Sequence, residues 1–371
     1  MRADINDRFY RTFTYQGTDR VPDIEFGYWP QTIRRWLGEG MRAELTEEER
    51  NSMFPRRLDD FFGFEHEAHG ILIDQKIDPP FEEEIIERRG SSVIMRDSTG
   101  IIAQRFLHDA EESSIPHFID FPVKTGDDWQ AIKQRYRIEG RGLADGEAIE
   151  QARSAQTSGR AIKAGLIGFY GMLRNWMGME RLSFAFYDCP EMVHEMVEHW
   201  AELLARQIES LPEDILIDEV DWWEDMAGKN GPLVSPALFD EFFGRGYSRV
   251  MTAAAERGCA ISMVDCDGNP HDIVANWLRQ GVNIMFPLEV AAGVDPGAWR
   301  DEFGMELRLR GGIDKKAVAI GGAAIDREFE RIRGPFEQGG FIPHLDHLVP
   351  PDVSYDNYRE YLDKKRAFIG R

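Results

Sequence analysis

The feature that most limits the fold of this chain is the alternation of β-prone and helical segments from residue 161 to the C-terminus. Ala161–Phe169 reads as a strand, and a long helix follows from about Pro190 to Ser210. Asp214–Val220 is a second strand, after which Ser235-Pro236 opens a helix with Ser at the cap and Pro in the first turn. Cys259–Val264, Val282–Phe286, Glu306–Leu309 and Phe341–Pro343 read as four more strands. Helices are expected at His271–Gln280, from Asp295-Pro-Gly, in the region ending near Gln338, and at Tyr355–Ala367. Repeated βα units of this length imply parallel strands joined by right-handed crossovers. No G-x-G-x-x-G follows the first strand. An α/β architecture of the (β/α)8 TIM barrel type therefore fits better than an open dinucleotide-binding sheet.

The whole chain, 1–371, reads as one barrel domain whose irregular N-terminal part, 1–160, need supply only two more strands. Val21–Trp29 is a short strand and Gln31–Leu37 a helix. Ser91–Leu107 is a β-hairpin insertion around the turn sequence Asp97-Ser-Thr-Gly100. Asp127–Arg137 is an amphipathic helix, and Gly140–Gly159, rich in Gly, Ala, Ser and charge, reads as an exposed linker. Hydrophobic residues make up 42 % of the chain, enough for a sizeable core and too many for intrinsic disorder. The 44 Lys plus Arg against 66 Asp plus Glu leave a net charge of −22, which argues against nucleic acid and anionic membrane as partners. Three cysteines make no disulfide framework and fit a reducing compartment. The first residues lack the apolar run of a signal peptide, and no stretch approaches the roughly 18 apolar residues of a membrane span, so a cytoplasmic protein is expected.

In a βα barrel the chemistry sits at the C-terminal ends of the strands. After Asp214–Val220 come Asp221-Trp222-Trp223-Glu224-Asp225 and then Lys229. After Cys259–Val264 come Asp265-Cys266-Asp267-Gly268-Asn269, and after Phe341–Pro343 come His344-Leu345-Asp346-His347. The first strand adds Glu25 and Tyr28, and the third region adds Tyr170 and Arg174. Turn chemistry accounts for Asp267 but not Asp265, and period-two alternation puts both carboxylates on one face with Cys266 on the other. Two carboxylates in a barrel mouth repel unless a cation, a proton or a substrate donor separates them. Cys266 reads as a buried thiol, not a nucleophile. His194-Glu195…His199 has a His spacing of five, which cannot share one helix face. His66 and His69 fall in a Glu-rich, exposed stretch, and Gly311-Gly312 reads as a tight turn.

The stretches AGLIGFYG, YDCPEMV, EDMAGKNGPLVSP, DCDGN and GGFIPHLDHLVPPDVSYDNYREYL, with DRVP near residue 19, resemble the uroporphyrinogen decarboxylase superfamily. That superfamily also contains the zinc-dependent methylcobamide:coenzyme M methyltransferases. The resemblance implies a distorted (β/α)8 barrel and a homodimer. The Arg-rich R-Q-x-G-R motif of true uroporphyrinogen decarboxylases is absent from the region Glu25 to Trp36, and Gly168-Phe169-Tyr-Gly-Met-Leu-Arg174 lacks the Pro and Thr of the second signature. The zinc motif H-x-C-G of the methyltransferases aligns with Asp265-Cys266-Asp267-Gly268, and their distant Cys falls at or near His347. Two carboxylates and a neutral His carry the same charge as a His and two thiolates, so the resemblance implies zinc or another divalent cation on Asp265, Asp267 and His347, with harder ligands.

These readings favour a methyltransferase or demethylase acting on a small methylated compound with a corrinoid-binding protein as partner. Glu224, Asp265, Asp267 and His344 are then the catalytic candidates, Glu224 and His344 for acid–base work and Asp265 and Asp267, with His347, to hold a metal or orient the acceptor. Glu25, Tyr28, Tyr170, Arg174, Trp222, Trp223, Lys229, Asn269 and Asp346 are the substrate-binding candidates. The alternative is a metal-free decarboxylase in which Arg174 and Lys229 hold a substrate carboxylate. A non-catalytic small-molecule binding protein is a third reading, disfavoured by the cost of crowding unused carboxylates.

Overall fold

The computed structural model describes residues 4–65, 68–71, 73–106, 116–141 and 146–371. In chain order its strands are β1 His69–Ile71, β2 Glu84–Arg89, β3 Ser92–Arg96, β4 Ile102–Phe106, β5 His117–Asp120, β6 Ile162–Ile167 and β7 Glu219–Trp223. They continue with β8 Ala227–Gly228, β9 Gly231–Pro232, β10 Ile261–Asp265, β11 Ile284–Phe286, β12 Arg308–Ile313 and β13 Phe341–Leu345. Seven of them form one parallel sheet in the order β1-β6-β7-β10-β11-β12-β13, so every neighbour in space is the next barrel strand in sequence. An extended segment over 23–28 lies between the two ends of this sheet. On one side Glu65 N–H donates to the Asp23 carbonyl at 2.9 Å; on the other, Val349 N–H donates to the Gly27 carbonyl at 2.9 Å, and Tyr28 bridges Val349 in parallel. This segment takes the place of the eighth stave, in keeping with the barrel expected from the βα pattern.

Two apolar cores follow from the alternation of strand side chains. The larger lies between the sheet and its surrounding helices, with Trp200, Trp222, Trp277 and Tyr247 among its fully buried members. The smaller fills the inside of the sheet's curve at the N-terminal ends of the strands, where Ala68, Ala161, Ile261, Ile284 and Ile342 meet. Phe9 and Phe13, from the helix Arg8–Phe13, complete that inner cluster and plug the bottom of the barrel.

The hairpin expected over 91–107 is β3 paired antiparallel with β4, and Asp97 closes its turn by accepting from the N–H groups of Thr99 and Ile101. Leu107 lies outside the described residues, as does His66. The hairpin is the centre of a four-stranded sheet, β2-β3-β4-β5, inserted after β1. Gly140–Gly159 is not a linker throughout, because Gly146–Thr157 is a helix that buries Ile149, Ala152 and Ala155 on one face. Spacing of three residues and the helix propensity of Ala outweigh the polar composition there. Gly311 and Gly312 are not a turn but part of β12; a Cβ at Gly311 would overlap the Pro287 carbonyl oxygen. Four strands reach further toward the C-terminal end of the barrel than their sequences suggest: β7 through Trp223, β10 through Asp265, β12 through Ile313 and β13 through Leu345. Among the described residues no helix is long and apolar enough to cross a membrane.

Candidate functional site

A cavity of about 530 Å³ opens at the C-terminal ends of the barrel strands. Its apolar walls are Phe26, Phe54, Trp223, Met263 and Phe286, and its charged lining includes Glu25, Lys163, Asp221, Asp265 and Arg310. Apolar walls with a few converging polar groups are what a small-molecule site requires. In β6 and β7 the inward positions alternate as Lys163, Gly165, Ile167 and Asp221, Trp223, and Lys163 pairs with Asp221 at 3.1 Å. A Cβ added to Gly165 would meet no atom within 4 Å, so this glycine leaves one wall bare.

At the mouth three carboxylates converge. Asp265 ends β10, Asp267 stands two residues on, and Asp225 follows β7; one oxygen from each lies within 4.8 Å of the others. Asp225 adopts a left-handed φ of +47°, which Asp tolerates and which turns the chain out of the strand at that point. Burial and the neighbouring Asp225 and Asp267 push the Asp265 carboxyl well above the usual range, against the pull of Arg310. Burial and Asp267 also raise Asp225. His347 approaches Asp267 with Nε2 3.4 Å from Oδ2 and lies face to face with Trp29, centroids 6.3 Å apart. Oxygens with this separation suit one divalent cation, since opposed ligands at bond lengths of roughly 2.0–2.6 Å stand about 4–5 Å apart. The donors are hard. Cys266 points elsewhere, its Sγ 3.6 Å from the Asp267 carbonyl and its thiol kept protonated by burial.

Glu224 is turned the other way from Asp225, because period two puts Val220, Trp222 and Glu224 on the outer face of β7. Fully buried, it accepts from the N–H groups of Phe169 and Gly171 at 2.9 Å each and from the Tyr247 hydroxyl, and burial raises its carboxyl to about 7. It thus caps the helix Phe169–Met177, and a Cβ on Gly168 would overlap its carboxyl group. From the last turn of that helix Arg174 returns to the site. It donates to the Asp225 carbonyl at 3.0 Å and covers the Trp223 ring at 4.8 Å. Trp222 also borders the cavity, with its ring packed on Phe169 and Tyr247.

His344 is fully buried and accepts at Nε2 from Arg310 Nε, while Arg310 lies against the Phe286 ring. Glu25 lines the cavity but is engaged by Lys365 and Tyr361, each at 2.7 Å. Tyr28 donates to Asp59 at 3.1 Å and packs among Trp36, Phe62 and Tyr358. Tyr170 is buried beside Phe243, its hydroxyl raised to about 12 by burial. Lys229 stands exposed in the β8–β9 hairpin. Asn269 closes a turn, donating to the Ala292 carbonyl and accepting from His271 N–H. Asp346 is buried, accepting from the N–H groups of Val290 and Lys315. The structure therefore gathers Asp265, Asp267, His347, Arg174 and Trp223 around one opening. It adds Lys163 and Arg310, which the sequence does not single out, and brings in Asp221 and Asp225 from the polar cluster expected after the second strand.

The sequence model of the family described as Uroporphyrinogen decarboxylase (URO-D) matches residues 108–368. Among solved structures, a methyltransferase from Methanosarcina mazei superposes with a TM-score of 0.57 at 13 % identity, covering 97 % of this chain and 98 % of that one. A B12-independent methionine synthase from Shewanella sp. W3-18-1 matches 62 % of this chain and 67 % of its own, at 13 % identity and a TM-score of 0.37. The first likeness is one of fold. No curated protein matches in sequence.

Proposed function

Since the chain belongs to the uroporphyrinogen decarboxylase family, we propose that it is an enzyme that removes a methyl group from a small compound held in the barrel cavity, with a corrinoid-binding protein as acceptor. The observation that carries this reading is the convergence of Asp225, Asp265 and Asp267 at the cavity mouth. Trp223, Phe26 and Phe286 would hold the apolar body of the substrate. As the methyl group departs, both electrons of its bond stay on the substrate heteroatom, and that atom needs a proton. Asp265, which lines the cavity and retains its proton by burial and repulsion, can supply it. Asp225, Asp265, Asp267 and His347 would alternatively hold a divalent cation, with Asp265 then deprotonated, and the cation would supply electrophilic activation of the heteroatom in place of that proton. Support for a protein partner comes from Phe54, Leu233 and Ile320, large apolar side chains exposed on segments that follow the staves at the mouth.

The test is incubation with chemically reduced cobalamin and a panel of O-, N- and S-methyl compounds, following methylcobalamin formation by absorbance. Turnover that disappears in Asp265→Asn supports the reading, and its absence across the panel counts against methyl transfer. Arg310 and Lys163 on the cavity wall favour a second reading, decarboxylation of a small acid bound through its carboxylate. Release of carbon dioxide without any corrinoid would select it.

A further inference from the structure

Four of the loops that build the mouth meet at one lysine. Lys315 follows β12, and its Nζ lies 3.2 Å from Glu289 Oε1, in the loop after β11, and 3.3 Å from Asp346 Oδ1, in the loop after β13. The other oxygen of Glu289 accepts from Gly268 N–H at 2.9 Å, in the loop after β10. Asp346 is fully buried and also accepts from the N–H groups of Lys315 and Val290, at 3.1 and 3.0 Å. Gly268 is the neighbour of Asp267, and Asp346 is the neighbour of His347. Gly268 tolerates no side chain: its φ is +82°, and a Cβ there would stand 2.7 Å from Gly228.

We infer that Lys315 is a positioning residue that sets the separation of Asp267 and His347 by cross-linking their loops through Glu289 and Asp346. Without its charge two carboxylates repel across one partly buried space, and the loops are left joined only by the backbone N–H groups of Val290 and Lys315 on Asp346 and of Gly268 on Glu289. This inference rests on the reading of Asp267 and His347 as site residues, although the geometric part of its test does not. Partners bonded directly to a ligating side chain are typically worth about 10–100-fold in metal affinity, and Lys315, which acts through the neighbouring residues, belongs at the lower end of that range.

The experiment compares full-length wild type, Lys315→Met and Lys315→Arg by crystallography and by Mn²⁺ binding followed in electron paramagnetic resonance. In Lys315→Met the Asp267–His347 contact, 3.4 Å in the parent structure, is expected to open beyond hydrogen-bonding reach. Mn²⁺ affinity is expected to fall about tenfold, with Lys315→Arg restoring most of both. A folded Lys315→Met protein that keeps the parent separation overturns the inference, whatever the metal result. If the parent binds no Mn²⁺, the cation reading fails, and the crystal comparison alone decides the role of Lys315. If Lys315→Met does not fold, Glu289→Gln, which weakens the same link, takes its place in both measurements.

Discussion

His344 Nε2 accepts from Arg310 Nε at 3.2 Å while its Nδ1 faces the Leu345 carbonyl at 2.7 Å. A carbonyl only accepts and a guanidinium only donates, so this pattern requires a neutral ring with the proton on Nδ1. Arg310 is thereby fixed against Phe286, beside the cavity that holds Asp265. His344→Ala is expected to lower kcat/KM at least tenfold and stability by about 1–3 kcal/mol, through a buried guanidinium deprived of an acceptor. Steady-state kinetics and urea unfolding check both, and a stability loss with unchanged kinetics would separate His344 from the site.

Glu224 gives a pH prediction whose sign can be worked out. Its carboxyl is raised from 4.5 to about 7 in the folded protein. Between these values the native state keeps a proton that the unfolded chain releases, so unfolding free energy falls as pH rises from about 4.5 to about 7. The full effect is about 3 kcal/mol. Urea unfolding from pH 4.5 to 8 should show this decline in the parent and a flatter profile in Glu224→Gln. The substitution should itself destabilise, because an amide NH2 would face a backbone N–H.

Asp265→Asn removes one of three crowded carboxylates and the proposed proton donor together. At pH 7–8, without added cation, the variant should be about 1 kcal/mol more stable than the parent. Methyl transfer should drop at least 100-fold. A loss of both stability and activity would instead point to a structural carboxylate.

Gly165→Leu should fold normally, since the added side chain enters open space on the cavity wall. Its thermal midpoint should stay within about 2 °C of the parent, a shift corresponding to less than 1 kcal/mol. Compounds that raise the parent's midpoint should lose that effect in the variant. Unaltered ligand-induced shifts would place the binding site elsewhere.

The barrel was readable because a parallel βα repeat writes itself as alternating periods, and those periods survive poor knowledge of each strand's ends. The site is sensitive to those ends. Placing the second strand at Asp214–Val220 leaves Glu224 and Asp225 as undifferentiated loop residues; extending it through Trp223 makes alternation itself choose Asp225 for the inside and Glu224 for the helix layer. Ending the fifth strand at Leu309 likewise hides Arg310, an inward residue of β12. Lys163 was hidden for a different reason, because a single charge in a strand does not reveal its partner, here Asp221, in the next one. Asp265 and Asp267 stood out because strand and turn rules together left Asp265 unexplained.

The helix that stoppers the barrel floor with Phe9 and Phe13 has a kinetic consequence. A chamber closed at its floor by these side chains admits no second reactant through that end. Under the proposed methyl transfer, the small donor enters first, the corrinoid-binding acceptor then covers the same doorway, and the spent donor waits until the acceptor departs. Compulsory-order kinetics, with the acceptor trapping bound donor, is the signature such a vessel imposes.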